Sequence, residues 1–67
     1  MEMKKVIATI RHAGEEEIIT IYNNYDEVCG IYDYTQEILI SKSTYEKLCT
    51  GDYFAKRYGS TLRAYQN

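Results

Sequence analysis

The first third of the chain contains two short apolar segments with the residue pattern of β-strands. In residues 6–11 every second side chain is Val, Ala or Ile, and successive side chains of a strand point to opposite sides. Residues 18–22 form a second such run, and Gly14 lies in the short segment between them. A connection this short predicts an antiparallel hairpin of two strands.

Two further segments complete the predicted sheet. Residues 28–33 and 37–40 are again rich in apolar side chains, and turn-forming residues at 23–24 and 34–35 precede them. Gly30 inside the first segment predicts a bulge or a close backbone contact. We therefore expect four antiparallel strands in meander order.

The pattern changes to helical signals after the fourth predicted strand. Ser43 and Glu46 have the spacing of a capping box, in which both side chains bond to backbone N–H groups at the start of a helix. Gly51 predicts the end of this helix. Residues 53–58 predict a second short helical turn. For residues 61–65 the pattern does not distinguish between a fifth strand and a tail.

These elements predict an α+β fold in one domain, residues 1–67. Its four-stranded antiparallel meander sheet is packed by one C-terminal helix, to which a short second helix and a fifth strand can be added. The 67 residues contain no Pro, and neither an apolar run of the ~18–20 residues that cross a membrane nor a secretory signal. We expect a soluble cytoplasmic protein. Its uncovered sheet face favours a homodimer or a docked partner.

Charge is unevenly distributed, although the formal net charge is only −2. Residues 12–41, the acidic segment, carry seven carboxylates, no Lys or Arg, and four of the eight Tyr residues. Carboxylates attract basic surfaces over the ~8 Å screening length, and Tyr is favoured at partner contacts. A merely solvated face, with part of the rings in the core, is the alternative. The predicted partner-binding residues are Glu15, Glu16, Glu17, Tyr22, Tyr25, Asp26, Glu27, Tyr32, Asp33 and Tyr34.

Side chains with catalytic or metal-binding chemistry are few and scattered. Cys29, Cys49 and the only histidine, His12, lack the spacing of a zinc site. A Cys–His pair would also need an orienting third group and an oxyanion pocket, for which no pattern is present. The isolated glycines form no phosphate-binding loop. We therefore predict a protein that is not an enzyme and that holds neither a metal nor a cofactor.

A smaller cluster near the C-terminus is basic and aromatic. Lys56, Arg57 and Arg63 lie close in sequence to Tyr58, and single-stranded nucleic-acid sites combine cations with stacking rings. Arg11 adds a fourth cation from the first strand. The predicted nucleic-acid residues of this alternative function are Arg11, Lys56, Arg57 and Arg63.

Part of the chain resembles a known family of nucleic-acid-binding proteins. Residues 10–14 leading into 18–22, and residues 38–41 followed by 45–48, are similar to the positive cofactor four family of transcriptional coactivators. The resemblance covers residues 6–49 and implies four strands followed by a helix, in a dimer whose curved sheets bind single-stranded DNA. That family lines its strands with Lys and Arg, which the acidic segment lacks, so the sequence does not extend the DNA-binding role to this chain.

Together the observations favour a non-enzymatic inhibitor or adaptor that binds another protein through its acidic, Tyr-bearing surface. The expected partner has a basic, nucleic-acid-handling surface, because opposite charges speed association and aromatic anchors slow dissociation. In size and charge the chain resembles the inhibitors encoded by phages and mobile elements, including anti-CRISPR proteins. The alternative is a homodimeric single-stranded nucleic-acid-binding module. The negative net charge places direct nucleic-acid binding second.

Overall fold

The computed structural model describes residues 2–67. This part of the chain contains five strands, one α-helix and one 3₁₀ turn. Within it, no helix combines the length and the apolar character needed to cross a membrane. The elements are β1 (Met3–Ala13), β2 (Glu16–Tyr22), a 3₁₀ turn (Tyr25–Glu27), β3 (Tyr34–Ser41), α1 (Lys42–Cys49), β4 (Tyr53–Tyr58) and β5 (Thr61–Gln66).

β1 is the central strand of a three-stranded antiparallel sheet and lies between β2 and β3. The predicted first hairpin is present, with Ala13 opposite Glu16. Gly14 has φ +66° at the first turn position, as a tight turn of type II′ requires. On the other side of β1, Val6 lies opposite Ile38 of β3. Because β2 and β3 flank β1, the chain between them must cross one face of the sheet.

Residues 23–33 make this connection and form no strand, so the predicted third strand at 28–33 is wrong. Apart from its 3₁₀ turn the segment is irregular, and Gly30 has φ +105°. The backbone N–H of Asp33 donates to the carbonyl of Ile10 at 3.0 Å, where the crossover returns to the sheet. Its apolar residues predicted a strand because hydrophobic content alone does not distinguish a strand from a segment laid across a sheet.

The helix begins two residues earlier than the capping-box prediction. Ser41, not Ser43, is the N-cap, and its Oγ accepts a hydrogen bond from the backbone N–H of Thr44 at 3.2 Å. Since Ser41 is also the last residue of β3, the chain passes from strand to helix without a loop. The helix ends at Cys49, before Gly51, as predicted from the C-terminal glycine.

The C-terminal segment is a β-hairpin, so the predicted helical turn at residues 53–58 is wrong. β4 and β5 pair along their length, with Tyr58 opposite Thr61. Gly59 between them has φ +60°, which closes a two-residue turn. For residues 61–65 the strand, rather than the tail, is the structure observed.

The core lies between the three-stranded sheet on one side and α1 with the hairpin on the other. These elements bury one face of the sheet, and the crossover passes over the opposite face, which we call the crossover face. The fold is therefore α+β, with five antiparallel strands in two sheets and one helix, and is not the predicted four-stranded meander. The core residues are Val6, Ala8, Ile38, Ile40, Ala55 and Leu62, against which Ile19, Ile21, Tyr45 and Leu48 pack.

Candidate functional site

Aromatic and cationic side chains cover the outer face of the β4–β5 hairpin. Ala55 points into the core, so its neighbours along β4 point outward, because side chains alternate between the faces of a strand. Directly opposed residues share a face, which places Tyr65 beside Phe54. We call this outward set the platform; it consists of Phe54, Lys56, Tyr58, Arg63 and Tyr65.

The three rings of the platform adjoin one another. The ring centroids of Phe54 and Tyr65 are 5.8 Å apart with 29° between the planes. Those of Tyr58 and Tyr65 are 6.4 Å apart with 34° between the planes. The hydroxyl groups of Tyr58 and Tyr65 are hydrogen-bonded to each other at 2.9 Å, and this contact raises the pKa of Tyr58. Phe54 and Tyr58 remain 41% and 46% exposed, so the platform offers flat apolar area to solvent.

Two cations lie among these rings. The Nζ of Lys56 is 5.8 Å from the centroid of Phe54 and 5.7 Å from that of Tyr65. The guanidinium carbon of Arg63 is 4.4 Å from the centroid of Tyr58, within cation–π range. Within residues 2–67, neither cation lies within salt-bridge distance of a carboxylate. The platform therefore keeps two positive charges available to an anionic ligand.

A groove with a volume of about 680 Å³ separates β2 from β4, beside the platform. The carboxylate of Glu17 accepts a hydrogen bond from the guanidinium of Arg57 across this groove at 3.1 Å. Glu15 and Glu16, by contrast, have no cation within salt-bridge distance in the described part of the chain. The groove is lined by Glu15, Glu16, Glu17, Ile19, Phe54, Ala55, Lys56 and Arg57.

The structure brings together two of the four cations predicted for nucleic acid. Lys56 and Arg63 share the platform. Arg57 lies on the inner side of the hairpin, bound to Glu17 and 6.0 Å from the ring of Tyr34. Arg11 lines a shallow depression on the crossover face, away from the hairpin.

Two platform rings, Phe54 and Tyr65, were absent from the sequence prediction. The signal for Phe54 is its strand spacing with Lys56 and Tyr58, which puts the three on the face opposite to Ala55. Tyr65 follows only from its pairing with Phe54 in the hairpin. Treating this segment as a helical turn concealed the alternation, because helical spacing does not place Phe54, Lys56 and Tyr58 on one face.

The predicted partner-binding residues lie at both ends of β2. The two ends are separated by roughly 20 Å, given the rise per residue of a strand. Tyr32 lies in the crossover, and its hydroxyl is 2.7 Å from that of Tyr22. At the Gly14 end are Glu15, Glu16, Glu17, Asp33 and Tyr34, and at the other end are Tyr22, Tyr25, Asp26 and Glu27.

His12 joins two of these carboxylates. Its Nδ1 is 3.0 Å from Oδ2 of Asp33, and its Nε2 is 3.6 Å from Oε2 of Glu17. The backbone N–H of His12 also donates to Asp33 at 2.9 Å. This hydrogen bond, followed by the one from the ring, lowers the pKa of Asp33. These contacts of His12 hold the end of the crossover against the first hairpin.

The described residues contain no group of three or more His, Cys, Asp or Glu side chains arranged to hold a metal ion. The thiols of Cys29 and Cys49 are free and exposed. The element order on which the resemblance to the positive cofactor four family rests is not observed, because three strands of the described chain precede α1. Comparison of the chain with protein-family models, with curated proteins and with solved structures gives no match.

Proposed function

We propose that the chain is a non-enzymatic module that binds single-stranded nucleic acid on the platform. Sites for single strands combine rings, on which bases stack, with cations that follow the phosphates. The observation that supports the proposal is the presence of both on one open face. Three adjoining rings lie there with Lys56 and Arg63, which have no carboxylate partner in residues 2–67.

The platform also suggests which nucleic acids bind. Stacking requires unpaired bases, since the bases of a duplex already stack on one another. Two free cations neutralise about two phosphates, so the logarithm of the binding constant should fall with the logarithm of salt concentration with a slope of about −1.4. The homodimer of the sequence prediction stays a prediction, and the platform is complete in one copy of the chain.

A fluorescence anisotropy titration with a labelled oligothymidylate of about ten nucleotides tests the proposal. We expect saturable, salt-sensitive binding. Replacing Tyr65 by Ala should weaken it about 5- to 150-fold, which corresponds to about 1–3 kcal/mol for one stacked base. Tyr25→Ala is the matched control, because this ring lies in the 3₁₀ turn, outside the platform, and is 56% exposed.

Two results would overturn the proposal. The first is no binding at tens of micromolar protein; the second is an equal effect of Tyr65→Ala and Tyr25→Ala. Circular dichroism establishes that each variant is folded. If Tyr65→Ala does not fold, Arg63→Gln takes its place and should reduce the magnitude of the salt slope by about 0.7.

The second candidate is the cytoplasmic protein-binding inhibitor or adaptor expected from the sequence. Its support is that Glu15, Glu16 and Asp26 have no cation within salt-bridge distance among residues 2–67, so their charges remain available to a basic partner. The partner would have to span both ends of β2. For this function we expect no oligonucleotide binding, and capture of a basic protein that charge reversal at Glu16, Asp26 and Glu27 weakens by about tenfold or more at low salt.

A further inference from the structure

The free edges of β2 and β4 lie on opposite sides of the groove beside the platform. β2 is an outer strand of the three-stranded sheet, and β4 pairs with β5 alone, so each has one side without a neighbouring strand. The groove has a volume of about 680 Å³, within the ~300–1,000 Å³ of ligand sites. The gap between β3 and the turn of the C-terminal hairpin has only about 10 Å³. The hairpin therefore packs closely on the sheet at β3 and leaves the side at β2 open.

Backbone hydrogen-bonding groups of β4 point toward this groove. In an antiparallel pair, alternate residues bond to the partner strand, and the residues between them direct their backbone groups away from it. The N–H of Asn67 donates to the carbonyl of Asp52 at 2.9 Å at the open end of the hairpin. By alternation, the even-numbered residues of β4 bond to β5. Ala55 and Arg57 therefore direct their N–H and C=O groups to the free edge, and both line the groove.

β2 presents the same groups from the opposite side. Ile19 lies opposite Ile10 of β1, whose carbonyl accepts a hydrogen bond from Asp33 on the β3 side. Since Ile10 bonds away from β2, Ile19 directs its own N–H and C=O groups away from β1, as does Glu17 two positions earlier. Both residues line the groove. In the described part of the chain no ladder joins β2 to β4, so two rows of backbone donors and acceptors border one space.

We propose that the groove is a docking site for an extended peptide segment of another protein, which adds as a strand to the free edge of β4. An extended backbone carries donors and acceptors at the same spacing as such an edge, and strands are recognised in this way. A second copy of the chain fits less well, because pairing β4 with its copy along the full strand brings like charges at Lys56 and Arg57 together. The inference does not rest on nucleic-acid binding, since the strand edge carries it.

The side chains of β4 indicate which peptide fits. Directly opposed residues of paired strands share a face. On the outer face, the peptide residue opposite Lys56 meets a cation that has no carboxylate within salt-bridge distance among residues 2–67, which favours Glu or Asp. On the inner face, the residue opposite Ala55 meets a small side chain, with Ile19 across the groove, which favours a larger apolar residue. We therefore expect a β-branched segment that contains an acidic residue.

An NMR titration of the isotope-labelled protein with the peptide acetyl-Thr-Val-Glu-Ile-Val-Thr-amide tests the inference. A new hydrogen bond moves an amide proton to lower field, so the shifts should alternate along β4. Ala55 and Arg57 should shift most, because their N–H groups bond to the peptide. Phe54 and Lys56 should shift little, since their N–H groups already bond to β5.

The control peptide is acetyl-Thr-Pro-Glu-Pro-Val-Thr-amide, in which Pro replaces the two residues that flank Glu. With Glu opposite Lys56, the flanking residues are the ones that bond to the edge of β4, and Pro has no N–H to donate. Each lost hydrogen bond should weaken binding about 2- to 13-fold.

A pair of protein variants tests the charge contact. Lys56→Gln should weaken binding of the first peptide about two- to fivefold, the size of an exposed ion pair. Arg11→Gln removes a cation from the crossover face, away from the hairpin, and should leave the affinity unchanged. Circular dichroism establishes that both variants are folded. If Lys56→Gln does not fold, the comparison of the two peptides decides.

Four results would overturn the inference. They are no amide shifts in β4 with the peptide in excess, equal affinity for the two peptides, and equal weakening by Lys56→Gln and Arg11→Gln. The fourth is the same pattern of shifts on raising the protein concentration without peptide, with a dimer in sedimentation, which would assign the edge to a second copy. The oligothymidylate titration decides on the platform separately, because it measures a different ligand on the same unmodified protein.

Discussion

The hairpin that holds the platform depends on its packing against the three-stranded sheet, and Leu62 provides the most direct test of that packing. Leu62 lies in the core on β5 and is 4% exposed, whereas Leu39 lies on the crossover face and is 54% exposed. Truncating either residue to Ala removes the same atoms. The difference between the two variants therefore reports burial alone.

The expected loss follows from the number of buried carbons. Leu→Ala removes three carbons, each worth about 0.8 kcal/mol when buried, or about 2.4 kcal/mol in total. A cavity adds to this at a site that cannot collapse, so we expect Leu62→Ala to lower the free energy of unfolding by about 2.5–4 kcal/mol. Leu39→Ala should cost about 1 kcal/mol, because half of that side chain already contacts water.

Urea unfolding followed by far-UV circular dichroism measures both losses. If the slope of the unfolding free energy against urea concentration is unchanged, the loss of stability is the shift in midpoint multiplied by this slope. A domain of 67 residues has roughly 3–10 kcal/mol in total, so Leu62→Ala should remove between about a quarter and all of it. Equal losses for the two variants would show that the hairpin does not pack on this face of the sheet and would refute the reasoning.

Three further changes test particular contacts. Hydrogen bonds from His12 hold the pKa of Asp33 below its usual 3.8. The ionised carboxyl therefore stabilises the fold above pH 3.8, and this contribution disappears as pH falls through the lower folded-state pKa. Because Asp33→Asn lacks this ionisation, its urea midpoint should fall less than that of the unmodified chain as the pH is lowered. The hydrogen bond with Tyr32 raises the pKa of Tyr22 to about 12, so Tyr32→Phe should lower it toward 10.0 in an alkaline absorbance titration, and an unmoved curve would contradict the contact. Gly59→Ala should cost about 1–2 kcal/mol in urea unfolding through backbone strain alone, because φ is +60° and nothing lies within 4 Å of the added Cβ; no loss would argue against this turn.

The first hairpin was predictable because its determinants are local. Alternating apolar residues in 6–11 and 18–22 and a glycine between them are enough to specify two paired strands. The crossover was not predictable in this way. Whether residues 28–33 pair as a strand depends on the position of β3 on the far side of β1, which is a property of the whole fold.

The C-terminal hairpin shows the opposite failure, in which local signals favoured the wrong structure. Asp52 and Gly59 resemble the two ends of a short helix, although residues 53–58 alternate as a strand does. Pairing with β5 decides the outcome, because tertiary contacts override weak local propensity. The two cations of the platform and Tyr58 could be predicted from their closeness in sequence. Phe54 and Tyr65 could be placed beside them only with the strand register.

The distribution of charge along the sequence also differs from its distribution over the folded surface. The acidic segment is continuous in sequence, yet Glu17 contacts Arg57, which lies 40 positions away. Glu37 likewise pairs with Lys5 on the neighbouring strand, at 3.1 Å. Two of the seven carboxylates of the segment thereby gain a cation from outside it. A run of like charges predicts a surface only after strand order and register are known.

The central claim is that the outer face of the β4–β5 hairpin binds single-stranded nucleic acid, and the most direct measurement is an NMR titration of the isotope-labelled protein with a short oligothymidylate. The account predicts that backbone amide shifts concentrate in β4 and β5, with the largest changes at Phe54, Lys56, Arg63 and Tyr65. Shifts confined to the turn at Gly14 and the 3₁₀ turn, or none with the oligonucleotide in excess, would contradict it.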